Sequence, residues 1–171
     1  MAAKSEQLQI GSRSFLLPLA VDPAENFVCL FTQNQVVEIL APRFVQPIPG
    51  SPRHLKGVVL YRDGLLPVID LDELCNRHRP VRIKHYRQLA VIRTGAVDPK
   101  TGVPLKAVVA ARERMQLARI SGKEFAETFK QRDVPPGLSE SGLVRGCFRR
   151  EEDSVALLDL GPVVRGEYGP A

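Results

Sequence analysis

Apolar positions along this chain fall in short runs broken by Pro and Gly, not in long helical stripes. The runs Ser14–Ala20, Phe27–Phe31, Gly57–Arg62, Leu65–Leu71, Gln88–Thr94, Leu105–Ala110, Leu143–Phe148 and Val155–Leu160 read as strands. Many short strands bounded by turn residues predict a barrel or sandwich. The clearest local pairing is a hairpin. Its arms, Val58 to Arg62 and Leu65 to Ile69, flank Asp63-Gly64, and Asp-Gly tolerates the positive φ angles of a two-residue type I′ turn. Pro67 has no amide hydrogen for a ladder, so its arm is predicted to be an edge or to bulge there.

Helices are predicted to be few and short. Thr32-Gln33-Asn34-Gln35 reads as a capping box opening a helix toward Leu40, ended by Ala41-Pro42. On such a helix Val36, Ile39 and Leu40 share a face and Glu38 points elsewhere. Ser121-Gly122-Lys123-Glu124 is a second capping box, leading to Phe125 and Phe129 one helical turn apart. Gly161-Pro162 suits the start of a last helical turn. Pro42 to Pro52 reads as an extended loop. Asp133 to Gly142, with Pro135-Pro136-Gly137, reads as an irregular one.

Length refines this picture. The 171 residues suit one domain, or two small subdomains sharing a core. The domain is expected over 13–165, with tails at 1–12 and 166–171. A formal net charge of +5 permits an acidic partner without demanding nucleic acid. With no Trp, 7 Phe and 3 Tyr, base stacking has little aromatic surface to use. Cys29, Cys75 and Cys147 stand far apart among apolar neighbours, as buried reduced thiols do. The first apolar run, Phe15 to Val21, contains Pro18, and nothing approaches the ~20 apolar residues of a membrane span. A cytoplasmic protein is expected, meeting the membrane only through a partner.

Catalytic chemistry is hard to find in the residues. Asp70 and Asp72 could hold a cation or act as acid and base, but no third carboxylate, phosphate loop or nearby His supports them. Surface capping of the turn Leu71–Cys75 is the expected role. His54, His78 and His85 lack ligand spacing, and no G-x-S-x-G elbow is present. No metal, other cofactor or enzymatic activity is expected. The strongest remaining signal is basic: Arg77, Arg79, Arg82, Lys84, Arg87 and Arg93 occur without an acid among them. An edge strand guarded by charge would carry this pattern, with Val81 and Ile83 alternating. So would a surface for an acidic protein partner. The alternative function it suggests is a small basic β-barrel nucleic-acid-binding protein.

Three stretches together resemble the CheW family. The first is Val36-x-Glu38-Ile39, then Val45 to Ile48, then Ser51-Pro52 and Leu55-Lys56-Gly57-Val58. The second runs from Gly57 through Arg62 to Pro67-Val68-Ile69-Asp70-Leu71. The third is Leu143 to Cys147, then Val155 to Leu160. Order and spacing agree from Phe15 to about Val164. The resemblance implies a mainly β, CheW-like fold: two intertwined SH3-like five-stranded β-barrels with a few short helices. It implies a non-catalytic adaptor that couples chemoreceptors (methyl-accepting chemotaxis proteins) to a CheA-type histidine kinase. The chemoreceptor's cytoplasmic tip would enter the groove between barrels, and another surface would take the kinase regulatory domain. By position, Val36 and Ile39 would line an apolar part of that groove, and Glu38 and Lys56 would make polar contacts at its rim. Gly57 would let the backbone turn or approach closely. Arg62 would offer a planar donor fork to a receptor carboxylate, unless Asp63 or Asp70 holds it internally.

Overall fold

The computed structural model describes residues 12–22, 25–75, 85–139 and 141–168. The expected strands are all present. In chain order they are β1 (Ser12–Asp22), β2 (Glu25–Thr32), β4 (Leu55–Tyr61), β5 (Gly64–Ile69), β6 (Gln88–Val97), β7 (Pro104–Ala111), β10 (Val144–Arg150) and β11 (Asp153–Leu158). Three more strands join them: β3 (Val36–Leu40), β8 (Gln116–Ile120) and β9 (Lys130–Gln131). The helices are α1 (Leu71–Cys75), α2 (Gly122–Thr128), α3 (Pro136–Ser139) and α4 (Gly161–Val164).

The strands form two sheets. One is five-stranded, in the order β3-β6-β7-β5-β4; the other is six-stranded, in the order β8-β1-β2-β11-β10-β9. The five-stranded sheet is built wholly from the middle of the chain. The six-stranded sheet joins the first two strands to the last four, with β11 and β2 paired in parallel. The chain thus starts in one half, builds the other and returns, which intertwines the two.

Side-chain alternation explains how two halves share a core. In β2, Phe27, Cys29 and Phe31 enter a central cluster between the sheets, while Val28 and Leu30 face a second cluster inside the six-stranded half. In β6, Ala90 and Ile92 face the central cluster, while Leu89 and Val91 line a third, inside the five-stranded half. Strands buried on both faces give near-continuous apolar runs, as read in the sequence. Each half also bridges its own edges. The segment leaving β3 crosses to the opposite edge, where Gln46 pairs with Val58 of β4. In the other half, α2 links β8 to β9, and Phe125 and Phe129 fill the interior beside Phe148. The mainly β architecture with two barrel-like halves is therefore present, the two-residue β9 giving one half a sixth strand.

Three local expectations are corrected. Thr32 to Gln35 does not open a helix. The Thr32 amide does donate to Gln35 Oε1 at 2.9 Å, which is half of a capping box, but the box closes a tight turn into β3. β-Branched Val36, Val37 and Ile39 favour the extended backbone, and pairing with Leu89 to Ile92 of β6 supplies its hydrogen bonds. In the β4–β5 hairpin, Tyr61 pairs with Gly64, so Arg62-Asp63 forms the turn, one residue earlier than expected. The positive φ falls on Arg62, at 52°. Finally, Pro67 does not bulge, and its arm is an inner strand of the sheet that lacks a partner on the β7 side only up to Pro67. The irregularity of the hairpin lies between Leu55 and Gly57, and β5 starts pairing with β7 only at Val68, just past the residue that cannot donate.

Other expectations hold. Ser121 caps α2, its Oγ accepting from the Glu124 amide at 3.0 Å, and the Phe125 and Phe129 rings stack 4.5 Å apart. Gly161-Pro162 opens α4. The loop after Asp133 contains the short α3. Of the basic segment, Arg77, His78, Arg79, Arg82 and Lys84 lie outside the described residues.

A polar clasp locks the return of the chain. Ser154 of β11 donates to Glu25 Oε1 of β2 at 2.6 Å, and Arg132 Nη1 donates to both side chains. The hydroxyl of Ser154 and the guanidinium of Arg132 hold the Glu25 carboxyl below its ordinary value of 4.5. A depressed carboxylate pKa stabilises the fold above the unfolded value, and that contribution is lost as pH falls through the folded one. Glu25→Gln should thus cost about 1–2 kcal/mol at neutral pH. The deficit should shrink as pH falls below the ordinary carboxyl value of 4.5, which urea melts across pH 3–7 can follow.

Candidate functional site

Strand β3 carries three of the expected contact residues. A bulge between Val36 and Glu38 shifts its register against β6. Val36 and Ile39 therefore both pack, half-buried, against the central cluster, while Val37 packs into the five-stranded half. The two residues share a face, as expected, but through a bulge and not a helical turn. Glu38 reaches the hairpin tip. Its Oε2 accepts a 2.6 Å hydrogen bond from Tyr61 Oη and lies 3.7 Å from Arg62 Nη2. The Arg62 guanidinium also lies 5.1 Å from the Tyr61 ring centroid. The internal partner of Arg62 is thus Glu38, not Asp63 or Asp70. Tyr61, which the sequence reading passed over, connects the two.

Gly57 is required by its surroundings. Its φ is +137°, and a Cβ there would lie 2.0 Å from the carbonyl oxygen of Gln46. That close approach lets Gln46 and Val58 exchange backbone hydrogen bonds of 2.8 and 2.9 Å. Lys56 belongs to a different cluster, with Nζ 3.8 Å from Glu73 Oε1.

That second cluster is buried, which corrects the expectation of surface capping. Asp70 does cap α1, its Oδ1 accepting from the Glu73 amide at 3.1 Å, but it is 0% exposed. Its Oδ2 accepts from Arg112 Nη2 at 2.5 Å and from Tyr86 Oη at 2.9 Å. Asp72 Oδ1 accepts from the Ala20 amide at 2.6 Å, across to β1, and its Oδ2 lies 3.5 Å from Arg112 Nε. A third carboxylate, Glu73, lies 3.9 Å from Arg112 and is held from outside by Arg53 at 2.8 Å. Burial pushes the Asp72 carboxyl up, opposed by the Ala20 amide. Arg112 thus bridges the acids around α1, and Asp72 ties them to the other half. A buried guanidinium committed to carboxylates suits a structural clamp.

Between β4–β5 and α4 lies an apolar groove of about 650 Å³. Leu55, Pro67 and Ile69 line one side, and Val163, Val164 and Tyr168 the other. His54 meets Tyr168 edge-on, with ring centroids 5.3 Å apart. The expected residues do not converge there. Glu38 meets Arg62 at the hairpin tip, Val36 and Ile39 turn instead to the central cluster, Lys56 joins the Glu73 cluster, and Gly57 shapes the outer side of β4.

The cysteines behave as core thiols. Burial pushes Cys75 up to about 12, with the nearby Asp72 and Asp70 charges adding to it, and burial raises Cys29 too. Both stay protonated at neutral pH. Among the described residues no group of His, Cys, Asp and Glu could hold a metal ion, and no helix is long and apolar enough to cross a membrane.

Two intertwined, mainly β halves around a shared core define the fold. Residues 24–167 match the family described as CheW-like domain, and the chain belongs to that family. Among solved structures it is similar to the scaffolding protein TtCheW from Thermoanaerobacter tengcongensis. The TM-score is 0.62 at 14% identity, covering 95% of this chain and 93% of that one. No curated protein matches the chain.

Proposed function

We propose that this chain is a non-catalytic, cytoplasmic adaptor that couples the cytoplasmic tips of chemoreceptors to the regulatory domain of a CheA-type histidine kinase. The observation that carries this reading is the apolar groove between β4–β5 and α4, on a chain of the CheW family. A helical tip can bury its apolar stripe in such a groove. Outside the groove lining, Val36 and Ile39 offer the partner apolar contacts, Glu38, Arg62 and Lys56 polar ones, and Gly57 keeps β4 in place. No substrate, metal or other cofactor is needed, since the function is to hold two proteins in register. Recovery of both a chemoreceptor and the histidine kinase from native extract on the tagged protein supports the reading. Recovery of neither, or of nucleic acid instead with strongly salt-dependent binding, contradicts it.

Arg62 provides a sharper check. Its positive φ of 52° strains any residue but Gly, so Arg62→Ala leaves the backbone cost unchanged and removes only the side chain. The lost pair with Glu38 is exposed on both sides, so stability should change by less than about 0.5 kcal/mol. Receptor affinity should fall about 30-fold, and Arg62→Lys should recover little, because an ammonium lacks the planar fork. Thermal melts and calorimetric titrations on both variants make the comparison. A marked loss of stability with intact binding would rule out the interface role.

A further inference from the structure

The chain passes between the halves twice, from β2 into β3 and from β7 into β8. Arg112 stands at the second passage, one residue past β7. A continuous line of ionic contacts runs from it in both directions. Inward, its Nε lies 3.5 Å from Asp72 Oδ2, and Asp72 Oδ1 accepts from the Ala20 amide of β1, in the other half. Outward, its Nη2 lies 3.9 Å from Glu73 Oε1. That same oxygen lies 3.8 Å from Lys56 Nζ, and Glu73 Oε2 accepts from both Nε and Nη2 of Arg53. Arg53 and Lys56 stand beside the groove-lining Pro52, His54 and Leu55 and reach solvent, whereas Glu73, Arg112 and Asp72 are buried.

We propose that this line is a relay: what Arg53 and Lys56 contact at the surface sets how firmly Asp72 holds β1, and with it one half to the other. Two features let it switch. Glu73 Oε1 stands almost midway between an outer cation and an inner one. Arg112 also has donors to spare, since its Nε and Nη1 are buried without a hydrogen bond. A partner carboxylate that draws Arg53 and Lys56 away leaves Arg112 as the cation for Glu73. The guanidinium then turns its spare donors to Glu73 and recedes from Asp72. Asp72, left beside Asp70, takes up a proton more readily, because a neighbouring like charge disfavours the ionised form. A neutral carboxyl accepts more weakly than a carboxylate, so the grip on Ala20 loosens. The step that brings in a partner rests on the adaptor reading above; the relay is a property of the chain alone. The adaptor is then a responsive link, not a fixed spacer.

Native-state hydrogen exchange on the full chain tests the relay without a partner. In Arg53→Gln/Lys56→Gln the Ala20 amide should exchange about tenfold faster. The amides of Leu16 and Leu17, paired within the six-stranded sheet, should stay within about twofold of the wild type. Arg53→Lys/Lys56→Arg keeps both charges and should leave Ala20 within about twofold as well. Glu73→Gln breaks the line at its middle, so adding Arg53→Gln/Lys56→Gln to it should not change Ala20 further. Unchanged Ala20 exchange in the first variant overturns the proposal. So does equal acceleration at all three amides, which is a loss of global stability. An acceleration that persists in the Glu73→Gln background also overturns it, because the path would then bypass Glu73. Saturation of the wild-type chain with the cytoplasmic helical hairpin of a chemoreceptor should reproduce the acceleration at Ala20. A hairpin that binds without doing so overturns the relay's regulatory role. A hairpin that does not bind sinks the adaptor reading, while the comparison of variants still decides the relay.

Discussion

Arg112→Met should be the most damaging single substitution in the polar interior. Its side chain is 4% exposed and reaches Asp70, Asp72 and Glu73 within 2.5 to 3.9 Å. Removing the guanidinium leaves Asp70 buried with the Tyr86 hydroxyl and the Glu73 amide as its remaining side-chain partners. Breaking a buried pair from one side costs about 3–5 kcal/mol, because an uncompensated charge stays inside. At roughly 2–4 °C per kcal/mol for a chain of this size, the melting point should fall by about 6–20 °C. The deficit should shrink in acid. Burial already raises the folded Asp72 pKa above its ordinary 3.8, and losing Arg112 raises it further. A raised carboxylate pKa destabilises the fold as pH rises through the window above the unfolded value, so protonation relieves it. Denaturant melts of both proteins at pH 4.5 and 7.5 measure this. An equal deficit at both pH values would mean the loss is one of packing, not charge.

Gly57→Ala should come close to it. A Cβ would meet the Gln46 oxygen at 2.0 Å, its carbonyl carbon at 2.6 Å and the Pro47 Cα at 2.9 Å, all backbone atoms. Nothing flexible is available to move aside, so the Gln46–Val58 pair must open. Lost pairing and positive-φ strain together should cost about 2–4 kcal/mol. Gly50→Ala separates the two causes: its φ is +74° and nothing lies within 4 Å of the added Cβ, so only the backbone term applies, about 1 kcal/mol. Hydrogen exchange should show the Val58 amide losing protection in Gly57→Ala and keeping it in Gly50→Ala. Equal effects at the two glycines would mean that the approach of Gln46 contributes little.

The strands were legible because most are buried on both faces and read as continuous apolar runs. Strand β3 was misread because Thr32 and Gln35 make a capping contact that serves a turn as well as a helix. Its bulge then groups Val36 with Ile39 as a helix would. Strand β8, Gln116 to Ile120, went unseen because Leu117 is exposed and only Ile120 is buried, which erases the apolar signal. The polar sites were harder still. Arg112 stands between Ala111 and Glu113 with nothing local to mark it as buried, because its partners come from a turn some forty residues earlier. Tyr61 read as one more apolar strand residue, although its hydroxyl joins Glu38 across the sheet. The close backbone approach expected at Gly57 is present, and only the structure identifies the Gln46 carbonyl as what approaches it.

The central claim is that this chain joins two different proteins at once through separate surfaces. Sedimentation velocity on the purified chain, mixed with the receptor hairpin and the kinase regulatory domain singly and together, tests it most directly. The account predicts a ternary species that contains all three and is heavier than either binary complex. Mutual exclusion of the two partners, or no complex with either, would contradict it.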